Sequence, residues 1–113
     1  MTTLQNLEIQ TIEWARQRGI IANSTPQQQM LKLVSEMGEL ADNIAKGRDV
    51  RDDIGDCLVV LTLIARLSST SLTECFSVAY EDIKDRKGFL NNYGVFIKES
   101  DSNYAAMLKA FTQ

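Results

Sequence analysis

The sequence predicts an all-α protein: a four-helix-type bundle with an irregular C-terminal tail and a short terminal helix. Three observations predict it. Apolar residues recur at helical spacing, i, i+3, i+4 and i+7, over four successive stretches. The 113 residues hold only one proline and six glycines, and the proline and three of the glycines fall at the borders of those stretches. Side chains that start helices stand at the same borders.

The first helix runs from about Leu4 to Arg18 and stops at Gly19, with Leu4, Leu7, Ile12 and Ala15 as its stripe and Trp14 at the stripe's edge. Ile20 to Ser24 reads as a connector. Thr25 as N-cap, Pro26 at the first helical position and Gln28 at the third then open a second helix, which runs to Lys46 and is capped by Gly47. Its stripe is Met30, Leu33, Val34, Met37, Leu40, Ala41 and Ile44. Asp49 is placed to cap a third helix from Val50 to about Leu67, and the short connector makes the second and third helices antiparallel neighbours. Ser68 to Ser71 breaks it. Ser71 to Glu74 has the capping-box pattern and opens a fourth helix, carrying Phe76, Ala79, Tyr80 and Ile83 to Lys87, where Gly88 ends it. Phe89 to Ser100 mixes aromatics, Asn and Gly without helical period and reads as an ordered loop or short extended piece, with Tyr93 and Phe96 packed. A short helix from about Asn103 to Phe111 closes the chain. The length fits one domain, residues 1–113.

Twelve Lys and Arg against fifteen Asp and Glu give a net charge of −3 without a basic run, which speaks against a nucleic-acid partner. An anionic ligand then needs a local basic cluster or a metal. The most apolar stretch, Cys57 to Leu67, contains Arg66 and is too short to span a bilayer, and the N-terminal residues lack the pattern of a signal peptide. A cytoplasmic protein without a membrane partner is expected. Cys57 and Cys75 are too few for a disulfide or zinc framework, and the absence of histidine removes His-based acid/base chemistry.

The informative feature is a pair of acidic pairs: Glu36 and Glu39 on the second helix, Asp53 and Asp56 on the third. Residues three apart share a helix face, with Cβ atoms about 5–6 Å apart. Each pair can therefore offer two carboxylates to one hard cation, and antiparallel helices can bring the pairs together. Oxygen ligands alone favour Mg²⁺ or Mn²⁺ over zinc. Gly38 and Gly55 each precede the second acid of a pair, which suggests close helix approach or access to the acids. An isolated acidic pair is ordinarily a solvated helix face. Here the third helix is apolar nearly all round, with Val60, Leu63 and Leu67 continuing the side of Asp53 and Asp56, so those aspartates open a buried helix. Buried charges of one sign need a metal or a partner.

In the setting Lys32 to Gly47 (KLVSEMGELADNIAKG) and Arg51 to Leu67 (RDDIGDCLVVLTLIARL), the paired acidic motif resembles the MazG-type all-α nucleoside triphosphate pyrophosphohydrolases. The likeness runs from about Gln29 to Ser100 and includes IKDRKG and GVFIKES. One position departs from it: the family usually has Glu where Asp53 stands. Phosphoribosyl-ATP pyrophosphohydrolases share the acidic plan, so the resemblance bears on reaction type more than on substrate. It implies a MazG-like fold and hydrolysis of a nucleoside or deoxynucleoside triphosphate to the monophosphate and pyrophosphate, by metal-activated water attack at the α-phosphorus. Mg²⁺, with Mn²⁺ able to substitute, would be held by Glu36, Glu39 and Asp56, with Asp53 as a ligand or a neighbour of the ligands. Glu39 is the expected general base. Lys84, Arg86 and Lys98 are the expected phosphate ligands, and Lys32 a further substrate contact or counter-ion to the acids. Trp14 is a candidate for stacking on the base, with core packing as its alternative.

A second reading keeps the acids as the metal-stabilised core of a non-catalytic helical binding or regulatory module. Either way self-association is expected, as a homodimer or homotetramer. A small four-helix unit cannot cover a helix apolar on nearly every side, which leaves Val59, Val60, Leu63 and Leu67 as an exposed patch unless a second copy covers them.

Overall fold

The computed structural model describes residues 2–112, and it is built mainly of helices. α1 (Leu4–Gln17) starts at Thr3, whose hydroxyl accepts the Asn6 N–H, and stops at Gly19 in the left-handed region at φ 76°. Where a connector was expected stands a one-turn helix, α2 (Ile20–Asn23). It closes because the Asn23 amide and backbone N–H both donate to Gly19 O, and Ser24 N–H donates to Ile20 O.

α3 (Pro26–Ala45) begins with the expected capping box: Gln28 N–H donates to Thr25 Oγ1 at 3.1 Å, and Thr25 N–H donates to Gln28 Oε1 at 3.2 Å. Gly47, at φ 67°, ends it, with its own N–H donating to Ile44 O and the Arg48 N–H to Asn43 O. This double closure satisfies carbonyls that a helix end otherwise leaves bare.

α4 (Arg51–Leu67) has Val50, not Asp49, at its N-cap, without a side-chain bond. The Asp49 carboxylate accepts the Arg51 N–H at 3.0 Å and pairs with the Arg51 guanidinium, a local two-residue turn that competes with capping one residue further on. α4 ends in the same double closure as α3, but with Ser69 in the left-handed position at φ 63°.

The connector from Lys46 to Val50 folds α3 back along α4, which makes the two antiparallel, and α1 packs on α4. Ala15, Leu33, Val60, Leu63 and Ala65 are the buried apolar residues of these helices. Val60 and Leu63 are thus covered by the chain's own helices, contrary to the expected exposed patch. The apolar residues of α4 left in water are Ile54, Leu58 and Leu61.

α5 (Leu72–Ile83) ends four residues before the expected Lys87, so Lys84, Arg86 and Lys87 lie beyond the helix. Its start is closed partly by Ser71, whose hydroxyl accepts the Glu74 N–H, and partly by Glu8 of α1. That buried carboxylate accepts the Leu72 N–H at 2.5 Å and the Thr73 hydroxyl at 2.6 Å. A glutamate 64 residues away thus completes the cap of α5.

By contacts the chain forms two compact units, Met1–Ser77 and Val78–Gln113, with the boundary inside α5. In the second, the expected irregular tail is an antiparallel hairpin of β1 (Gly88–Leu90) and β2 (Phe96–Lys98), with Phe89 opposite Ile97. Gly88 is a strand residue and not a helix terminator. A Cβ there would lie 2.1 Å from Ile97 O, so only glycine allows this approach of the strands. Asn91 Oδ1 accepts the Tyr93 and Val95 N–H groups and closes the turn. α6 (Tyr104–Thr112) sets Tyr104 and Phe111 against Phe89, at ring centroid distances of 5.8 and 4.9 Å. Tyr93 is 90% exposed and Phe96 is exposed as well, so the expected packing of these two is replaced by that of Phe89.

Candidate active site

The capping box and Gly47 fix the length and phase of α3, and the short connector fixes how α4 returns along it. Together they bring one carboxylate oxygen each of Glu36, Glu39 and Asp56 within 4.8 Å of one another. Among the described residues this is the set of three acids placed to hold one cation. The burial is graded, with Glu36 only 7% exposed, Asp56 half-buried and Glu39 exposed.

Glu36 Oε1 pairs with Lys32 Nζ at 3.0 Å, which holds the lysine protonated to higher pH than usual. Glu36 Oε2 is buried and has no hydrogen-bond partner among the described residues. A buried carboxylate oxygen without a donor is costly, and a divalent cation is the partner its chemistry calls for. The donor set therefore fits a hard cation. The neighbours of the other two acids agree. The Glu36 charge, first, pushes the Glu39 carboxyl above its ordinary range, and Asp53 adds to it. Burial, then the charges of Asp52, Glu36 and Asp53, push Asp56 up. Each acid has too much negative charge around it, which a bound cation would relieve.

Asp53, the fourth expected ligand, is buried at 9% exposure but stands outside this set of three. Its Oδ2 accepts from Asn43 Nδ2 at 3.0 Å. Asn43 is a site neighbour that the motifs do not single out. Its spacing of four from Glu39 was the available signal.

Beside the acids opens a cleft of about 310 Å³, walled by Leu4, Leu7, Leu58 and Val59, with Thr11 and Asp56 among its polar edges. Asp56 belongs both to the cleft and to the set of three. Gly55 also lines it, and a Cβ at Gly55 or Gly38 would meet nothing within 4 Å. Close helix approach is therefore not what these glycines serve within the chain; at Gly55 the missing side chain leaves the cleft wall open.

Trp14 is exposed on α1, with the Arg18 guanidinium over one ring face at 4.7 Å from the centroid. In the second unit, Lys84 pairs with Glu81 at 2.8 Å and Arg86 with Asp82 at 2.6 Å, while Lys98 is half-buried on β2.

Residues 24–88, more than half of the chain, match the family model described as the MazG nucleotide pyrophosphohydrolase domain. The chain belongs to that family. The matched segment begins just before α3, contains all four acids and ends at the first residue of β1. A relative from Haemophilus phage HP1, an uncharacterized 18.2 kDa protein of the rep-hol intergenic region, is 41% identical over 68 residues. Those residues are 58% of this chain and 42% of that protein, so the chain matches less than half of the relative's length. Among solved structures, a cyanophage S-2L MazG-like pyrophosphohydrolase, bound to dGDP and three catalytic Mn²⁺ ions per active site, superposes with a TM-score of 0.63. The match covers 87% of this chain and 98% of that one at 20% identity, which makes it a likeness of fold. The all-α MazG-like fold expected from the motifs is thus the fold observed.

Proposed function

We propose that this MazG-family chain hydrolyses a nucleoside or deoxynucleoside triphosphate between its α- and β-phosphates, giving the monophosphate and pyrophosphate. The observation that carries this reading is the unpartnered, buried oxygen of Glu36 within a set of three carboxylates that share one cation-sized gap. Glu36, Glu39 and Asp56 would hold the cation, Mg²⁺ with Mn²⁺ as substitute, consistent with the Mn²⁺ and nucleotide of the cyanophage protein. When bound, such a cation neutralises phosphate charge and makes an attacking water more acidic.

The chain's own groups do the rest. Glu36, buried and braced by Lys32, is the fixed member of the set. Glu39 is its solvent-facing member, so it is the carboxylate placed to take a proton from the incoming water. The cleft next to Asp56 offers apolar walls to the nucleoside and leaves its triphosphate at the acids. Lys84, Arg86 and Lys98 are proposed as phosphate ligands on the chemistry of their side chains, and Trp14 as a stacking surface through the ring face that Arg18 leaves open. We further propose that the chain works as a homodimer or homotetramer, since α3 leaves Val34, Met37 and Ile44 in water.

The test is a panel of all common NTPs and dNTPs incubated with Mg²⁺, with the products separated. The expected result is a monophosphate and pyrophosphate formed in one step from at least one of them. Orthophosphate with a diphosphate product, or an undiminished rate in excess EDTA, overturns it.

A further inference from the structure

We propose, resting on the reading of the cleft and the acids as the nucleotide's place, that the cleft selects a triphosphate whose base carries an exocyclic amino group, with Glu8 of α1 as the residue that reads it. Glu8 is a buried carboxylate that lies outside both the acidic motif and the segment matched by the family model. It lines the cleft together with Leu72, and the whole cleft lies within the first compact unit.

The cleft is a groove between one face of α1, where Leu4, Leu7, Glu8 and Thr11 stand at helical spacing, and one face of α4. From Asp56 to Thr62 its α4 wall extends about 9 Å, at a rise of about 1.5 Å per residue. The Asp56 end belongs to the cation and the phosphates. Backbone bonds hold Ser69 and Thr70 close to the end of α4, so Leu72, and Glu8 bonded to it, stand toward the opposite end, where the base arrives.

The lining accepts hydrogen bonds far more readily than it gives them. Among the described residues that line the cleft there is no lysine, arginine, asparagine or glutamine. Thr62 spends its hydroxyl proton on Leu58 O at 2.7 Å, which leaves Thr11 as the lining side chain with a donor to offer. Glu8 Oε1 accepts the Leu72 and Thr73 N–H groups, whereas Oε2 accepts only the Thr73 hydroxyl among the described residues and keeps an acceptor direction unused. An amino group satisfies such a wall. A ring carbonyl in its place sets oxygen against oxygen and leaves both without a donor, a difference that separates good substrates from poor ones by about 10–100-fold.

The test compares kcat/KM for matched triphosphates with Mg²⁺: cytosine with uracil, and adenine and guanine each with hypoxanthine, in the ribose and deoxyribose series. In the pair hydrolysed best, the parent chain is expected to favour the amino-bearing member by about 10–100-fold. Glu8→Gln keeps an oxygen for the Leu72 N–H but introduces a donor, and is expected to cut that ratio by about tenfold or reverse it. A Glu8 that only capped α5 would lower both members of the pair alike. Thr73→Val, an exposed change in the first turn of α5 that frees Oε2 for the base, is expected to raise the ratio about twofold or more. A uracil, thymine or hypoxanthine triphosphate as the best substrate, a parent ratio within about twofold of one, or a ratio that neither variant moves overturns the proposal. Absence of pyrophosphate from every triphosphate overturns the reaction itself and this proposal with it, whereas hydrolysis without preference overturns the base site alone.

Discussion

Glu36 and Glu39 lie one turn apart on the same face of α3, yet burial gives them different work. Glu36 is enclosed and supplies a fixed negative charge; Glu39 is open to water and feels that charge. Because the folded Glu39 carboxyl keeps its proton to higher pH than its ordinary 4.5, the folded state binds more protons than the unfolded chain between the two values. Stability of the metal-free protein therefore falls as pH rises through that window, and Asp56 acts in the same direction from its ordinary 3.8. Glu39→Gln should accordingly raise the melting temperature of the metal-free protein at pH 7.5, with the gain vanishing at and below about pH 4.5. The same variant should lose about a hundredfold or more in hydrolysis rate, the scale for an acid/base or electrostatic group. Thermal melts over pH in EDTA, beside a pyrophosphate-release assay, check both. Those acids were legible because their spacing of three needs only the helix itself and because the chain offers no histidine. Asn43 and Glu8 were not, since their partners are 10 and 64 residues away and appear only once helices pack.

Helix ends show the same division between what is local and what is not. α3 and α4 close with the same pair of backbone bonds, but α3 places Gly47 in the left-handed position and α4 places Ser69 there. The glycine announces its helix end in the sequence; the serine does so only as part of a polar break. A side chain in that conformation costs about 1–2 kcal/mol, of which glycine's larger unfolded freedom returns about 0.5–1. Ser69→Gly should therefore stabilise the protein by about 0.5–1 kcal/mol, read as a higher denaturant midpoint at unchanged slope. The hairpin was hidden for another reason. Strands of three residues are too short to show alternation, and Gly88 reads as a helix stop although its actual constraint is the carbonyl of Ile97.

At the level of the whole molecule, the second-helix stripe is the part of the sequence reading that the single chain leaves unexplained. Of Leu33, Val34, Met37 and Ile44, only Leu33 is buried; Ile44 is 60% exposed, and Leu31 beside the stripe is 75% exposed. Helical spacing places Val34, Met37 and Ile44 together on α3, all three exposed. No single helix among the described residues is long and apolar enough to cross a membrane. A second copy laid on the same surface by a two-fold axis would cover these residues on both chains at once, without leaving an open end for further growth. The surface expected at Val59, Val60, Leu63 and Leu67 is instead buried or half-buried within the chain, and a charge at Val60 or Leu63 would break its own core. Ile44→Glu is the informative change, because the side chain touches water in the single chain and its replacement leaves that core intact. Light scattering at micromolar concentration should give a multiple of one chain's mass for the parent and a lower multiple for Ile44→Glu, with the helical circular dichroism of the two alike. A parent that is monomeric at that concentration and still hydrolyses nucleotide would show that α3 leaves these residues in water in the working enzyme.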